Sequence, residues 1–124
     1  VQRPDLLDRL ARMNAEIMGS KGNPYYDAPT VVLVFAPADS RNAVQDASCV
    51  LENMMLAAHA LGLGSCWINR EIEMFRTSEG HDLMVRELGL PEGLTGVGAI
   101  SLGSPDGAAS PCKPRKEGYV RIVR

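Results

Sequence analysis

Leu6, Leu7, Leu10, Met13 and Ile17 recur at intervals of three and four, the period of one helix face, in a segment that opens with Pro4 and Asp5 and runs into Gly19. Proline at the first helical position gives up an N–H that a helix start leaves unpaired, and glycine takes the left-handed conformation that ends a helix. An amphipathic helix is predicted there. Residues 20–29, with Gly22, Asn23, Pro24 and Pro29, have turn chemistry and carry Tyr25 and Tyr26 in their middle. Residues 30–36 (TVVLVFA) are apolar without alternation, the pattern of a strand covered on both faces, and are expected to form a central strand. Asp39, Ser40 and Asn42 offer N-cap oxygens to a second helix over residues 43–61, which Gly62 would close. Ala47, Val50, Leu51, Met54, Met55, Ala58 and Leu61 give it an apolar face so wide that it is expected in the middle of the fold or in a subunit interface. Shorter signals predict a strand over residues 65–69, a helix over 78–88 closed by Gly89, a glycine-containing strand over 95–102 and an alternating strand over 119–123.

Helices and strands alternate here without the regular spacing of βαβ units. That predicts an α+β fold, helices packed on a mainly antiparallel or mixed sheet, in a single domain over residues 1–124. A hydrophobic content of 45% with 23% charged residues suits a globular chain with one modest core, not a disordered or membrane-spanning one. The net charge of -2 gives no basic field, and three tyrosines, two phenylalanines and one tryptophan make no aromatic and basic stripe, so neither a nucleic acid nor a membrane is expected as partner. Three cysteines, odd in number and far apart, fit neither a disulfide framework nor a zinc site; the expected compartment is the cytoplasm, with Cys49 and Cys66 as packing residues.

The chemistry-bearing stretch is Leu61-Gly62-Leu63-Gly64-Ser65-Cys66-Trp67-Ile68-Asn69-Arg70, in which two glycines let backbone pass close to a flat ligand. Gly103-Ser104-Pro105, followed by Lys113-Pro114-Arg115-Lys116, adds a compact cationic cluster of the kind that holds a phosphate. Together they suggest a nucleotide-type cofactor. Each has a plainer reading: glycines end helices, and clustered cations sit solvated near chain ends. His59 and His81 lack partners at metal-ligand spacing, Glu52 reads as a helix-surface or interface carboxylate, and no nucleophile-elbow pattern appears. Tyr25 and Tyr26 read either as a substrate mouth or as loop packing.

With these elements in order, the sequence resembles the nitroreductase family of flavin enzymes over essentially its whole length. NPYYDAPTVVLVFA resembles the family's loop and first long strand, SCVLENMMLAAHALGLGSCWI its core helix, turn and strand, and AISLGSPD with KPRKEGYVRIV its closing segment. The resemblance implies a nitroreductase-like fold, a homodimer with FMN at the interface, and electron transfer from NAD(P)H to nitro compounds, quinones or related small-molecule acceptors. It implies that the backbone of Trp67, Ile68, Asn69 and Arg70 faces the flavin ring, with an amide near Asn69 or Arg70 aimed at N5, and that Lys113 and Arg115 hold the phosphate. The flavin would carry the chemistry, with no catalytic side chain and no metal. Family members begin with an arginine-rich motif and further flavin contacts upstream of the segment matching Val1, so the chain is expected to correspond to the C-terminal two-thirds of the family domain. Two other readings follow: a truncated dimeric or flavin-binding module without redox turnover, and a relative that uses its flavin for dehalogenation or flavin breakdown.

Overall fold

The computed structural model describes residues 1–107 and 111–124. Helix α1 spans Pro4–Met18, with Pro4 in its first turn and no side-chain cap. Gly19, at φ 66°, ends it, and the amides of Gly19 and Ser20 bond back to the carbonyls of Glu16 and Ala15. Strands β1 (Thr30–Pro37), β2 (Gly64–Ile68) and β3 (Leu94–Gly103) form one antiparallel sheet in the order β1-β3-β2. A register shift between Val34 and Phe35 interrupts the β1–β3 ladder.

The α+β class is as expected, and its physical basis is a sheet buried on both faces. Side chains alternate across a strand, so Ala99 and Ile68 face one layer while Ile100 and Trp67 face the other. The first layer holds Leu10, Met13, Val31, Met74 and Leu83, contributed largely by α1 and the segment after β2. In the second, helix α2 (Ala43–Ala60) lays Ala43, Ala47 and Leu51 on Val34, Val97 and Ile100.

Four expectations need correction. The strand at residues 30–37 lies at an edge, and β3 is the central one. The run is apolar because both faces are covered, which says nothing of lateral neighbours; part of that edge is closed by Val1, whose ammonium and carbonyl pair with the Val31 backbone. Helix α2 is not in the middle of the fold, one of the two places expected for it: Ala43, Ala47, Leu51 and Ala58 are buried on the single sheet face it covers, but Val50, Leu56 and, just after the helix, Leu61 face outward. Residues 119–123 form no strand. Tyr119, Val120, Ile122 and Val123 are all more than three-quarters exposed: alternation makes a strand only where the segment pairs with an edge, and this one pairs with neither β1 nor β2 at the rims of the sheet. Cys49 and Cys66 are exposed rather than packed, one on the outer side of α2, the other on an edge strand.

The helix expected over 78–88 is α4 (Ser78–Asp82) continued by a π-helical turn, Leu83–Glu87, and closed by Gly89 at φ 66°. A further helix, α3 (Glu71–Arg76), precedes it. Thr77 is extended between the two; its hydroxyl donates to the Met74 carbonyl and accepts from the Gly80 amide, capping α4.

Candidate functional site

Strand β2 ends at Ile68, and the chain leaves the sheet through Asn69 and Arg70 before α3 begins at Glu71. Arg70 has φ 83° and ψ 5°, a left-handed conformation that costs a residue with a Cβ about 1–2 kcal/mol unless its surroundings hold it. What holds it is a buried chain of polar side chains. Asn14, from α1, donates through Nδ2 to the Asn69 carbonyl at 2.9 Å and accepts at Oδ1 from Arg70 Nε at 2.8 Å. The same Nδ2 donates to the Tyr25 hydroxyl at 3.3 Å, and Tyr25 donates onward to Glu71 Oε1 at 2.9 Å. Asn14, Tyr25 and Glu71 are 0%, 2% and 1% exposed, so water does not compete for these bonds. Two donated bonds and one accepted bond fix the orientation of the Asn14 amide.

One end of this chain is incomplete: Glu71 Oε2 is buried with no partner among the described residues. Burial pushes the Glu71 carboxyl up to about 7, against the opposing pull of the Tyr25 hydrogen bond, its own amide and the Arg70 charge. Burial likewise raises the Tyr25 phenol, with the Glu71 charge adding to it.

Trp67 and Ile68 point to opposite sides of the sheet. Ile68 belongs to the layer with Leu10 and Met74, and Trp67 packs beside α2, where its buried indole Nε1 finds no partner among the described residues and a methyl on Gly98 would lie 2.9 Å from it. Both are core side chains, leaving their backbone as what they can present to a ligand. Asn69 is exposed and Arg70 half-buried.

Gly64, Ser65 and Cys66 line an open cleft of about 350 Å³ with Tyr26, Asp27, Ser101 and Ser104. Gly62, Gly64, His59, Pro105 and Asp106 line a neighbouring one of about 560 Å³. The two glycines differ in what requires them. Gly62 has φ 73° just after α2, whereas a methyl on Gly64 would meet nothing nearer than the Gly103 carbonyl oxygen at 3.5 Å, an ordinary contact. Lys113, Arg115 and Lys116 line a separate cleft of about 410 Å³ with Tyr119, which includes none of residues 67–70. Of the two tyrosines, Tyr25 is the packing residue and Tyr26, exposed at φ 58°, borders the first cleft. Glu52 and His59 are exposed on α2, and His81, on α4, pairs with Glu92 at 2.7 Å. No helix among the described residues is long and apolar enough to cross a membrane.

Sequence reading passed over Asn14 and Glu71. The signal was present in the helical spacing: Asn14 falls four residues after Leu10 and one after Met13, and Glu71 falls three and four before Met74 and Phe75, so both polar side chains stand on apolar faces.

A profile of the Nitroreductase family matches residues 4–104. A nitroreductase with bound FMN from Bacteroides fragilis superimposes with a TM-score of 0.86 at 31% identity, over 100% of this chain and 73% of that one. A nitroreductase with bound FMN from Desulfitobacterium hafniense gives 0.79 at 20% identity, over 99% and 73%, a likeness of fold alone. A protein of Archaeoglobus fulgidus named as an NADH dehydrogenase/NAD(P)H nitroreductase is 37% identical over 62 residues, 50% of this chain and 33% of that protein.

Proposed function

The chain belongs to the nitroreductase family, and on that premise we propose that it is an FMN-dependent oxidoreductase passing electrons from NAD(P)H to a small-molecule acceptor such as a nitroaromatic compound or a quinone. The observation that carries this reading is the turn through Asn69 and the left-handed Arg70, a partly exposed backbone element held from beneath by Asn14. Such a turn presents main-chain groups to a flat ring without a side chain in the way. Gly64 adds support, since the chain's own packing leaves room there for a methyl group that the sequence does not supply. FMN, when bound, supplies the hydride chemistry, so no side chain here is required as a nucleophile. The backbone of Trp67, Ile68, Asn69 and Arg70 would lie against the ring, and Lys113 with Arg115 would balance the phosphate, whose desolvation is otherwise costly. A preparation that stays colourless after FMN is added and removed by gel filtration contradicts the reading.

The same titration tests the phosphate ligands. A guanidinium makes paired hydrogen bonds to phosphate that an ammonium cannot reproduce. Arg115→Ala is therefore expected to weaken FMN binding by about ten- to hundredfold, the worth of one charge-assisted contact, and Lys116→Ala by much less. Equal, small losses at both positions mean that the cluster is a solvated edge.

A second reading, a dimeric or flavin-binding module without turnover, is favoured by one observation: residues 113–116 stand exposed in a cleft of their own. It requires that NAD(P)H oxidation with a quinone acceptor and excess FMN be undetectable. Under either reading the protein is a homodimer in our proposal, because the outward side chains of Val50, Leu56 and Leu61 leave apolar surface on α2 that a second copy would bury. Light scattering at micromolar concentration is expected to give twice the chain mass; a stable monomer refutes it.

A further inference from the structure

We propose that Glu71 is a positioning residue, acting through Tyr25 and Asn14 on the turn at Asn69 and Arg70, so that the ionisation of one buried carboxyl sets how tightly that turn is held. The inference rests on the reading of the turn as the flavin-facing element, but its mechanics do not depend on the cofactor.

The geometry gives the chain a direction. Arg70 donates to Asn14, Asn14 donates to Tyr25, and Tyr25 donates to Glu71. Each link uses one group as acceptor from the previous residue and another as donor to the next, the arrangement in which hydrogen bonds polarise one another. A carboxylate at the far end makes the Tyr25 bond charge-assisted and its oxygen a better acceptor for Asn14, whose own Oδ1 then binds Arg70 Nε more strongly. A neutral carboxyl leaves every link a weaker one. Asn14 also holds the Asn69 carbonyl, so the same amide ties both residues of the turn.

The Tyr25 hydroxyl, the residue's own amide and the Arg70 charge favour the charged form of Glu71, and burial opposes them. Its second oxygen is buried and has no hydrogen-bond partner among the described residues, and the residue is 1% exposed. The charged and titratable groups facing it are Tyr25 from the loop before β1 and Arg70 and Glu73 from its own segment; α1 contributes only the neutral Asn14, and β3 approaches its backbone at Gly96. With its carboxyl pushed up to about 7, the group changes charge in the neutral range, where an ordinary glutamate does not.

The test is an NMR pH titration of the whole chain without cofactor, read at the Arg70 Nε–H and at the amides of Asn69 and Arg70. In the natural protein the Arg70 Nε–H is expected to move downfield as pH rises through about 7, in step with the Glu71 carboxyl. Glu71→Gln keeps the acceptor for Tyr25 but removes the ionisation, and its Arg70 signals should stay flat. Tyr25→Phe keeps the ring in the core while cutting the chain; Glu71 still titrates there, and Asn69 and Arg70 should follow it far less, keeping only the direct field between the neighbouring charges of Arg70 and Glu71. Signals that follow Glu71 equally well in Tyr25→Phe overturn the proposal, as does a natural protein in which they do not titrate. FMN titration at pH 6 and pH 8 separates this from the functional reading: affinity that differs between the two pH values in the natural protein and not in Glu71→Gln supports the chain's role toward the cofactor. No FMN binding at either pH removes the functional reading and leaves the NMR result standing.

Discussion

Gly80→Ala is expected to cost about 3 kcal/mol and to lower the melting temperature by about 10 °C, at the upper end of what overpacking does. A methyl on Gly80 would lie 2.0 Å from the Met74 carbonyl oxygen and 2.8 Å from Phe75 Cα. Both are backbone atoms, so no rotamer change relieves the clash. Helix α4 would have to move off α3, and the cap that Thr77 builds between them, to Met74 on one side and Gly80 on the other, would go with it. Helix propensity pulls the opposite way, favouring alanine over glycine by about 1 kcal/mol in a helix interior. The sign of the measured change therefore decides which effect wins. Gly22→Ala is the control, because its methyl would meet only the Ser20 hydroxyl at 3.7 Å, and it is expected to change stability by no more than about 0.5 kcal/mol. Denaturant midpoints for both variants, with unchanged slopes, are the measurement; a stabilised Gly80→Ala means that the two helices are further apart than the fold requires.

The reasons some of this architecture was legible in the sequence, and some was not, are local. Helix α1 and its end at Gly19 could be read because the period of Leu6, Leu10 and Met13, the proline at the start and the glycine at the stop all state the same thing. Strand β3 was legible for the same reason, bounded by glycine and built of apolar residues. By contrast, the order of strands in the sheet leaves no mark on a run such as residues 30–36, which looks identical at an edge or in the centre once both faces are covered. Helix α3 escaped notice because six residues carry little periodicity of their own and Glu71, facing the core, disguises its apolar side. That disguise also hid the most unusual part of the site. The glycines and the segment 67–70 drew attention by composition, whereas Asn14 and Tyr25 become meaningful only when folding brings them beneath Arg70 from 56 and 45 residues away in sequence.

Burying Glu71 should also give the fold a pH dependence that a single substitution removes. Its carboxyl stands at about 7 in the folded chain against 4.5 for an ordinary glutamate, chiefly because burial penalises the charged form. A raised folded value means that the native state holds a proton the unfolded state has released. The contribution of this group to stability is accordingly full below about pH 4.5 and is lost as pH rises through about 7, by roughly 3 kcal/mol in all. Glu79 works with the opposite sign, since Arg12 and Arg9 hold its carboxyl below the usual value, and what it contributes is lost on acidification. Comparing the natural protein with Glu71→Gln cancels Glu79 and every other shared group. The difference in unfolding free energy between the two should change by about 2–3 kcal/mol from pH 5 to pH 8, in favour of Gln at the higher pH. Parallel profiles would mean that Glu71 binds its proton equally in the folded and unfolded chains, with its folded value near the ordinary 4.5, and that the buried end of the chain is charged across this range. A change of the expected size would show that a carboxylate in this place is costly in neutral solution because burial strips it of water, a cost that the hydrogen bond from Tyr25 and the charge of Arg70 offset only in part.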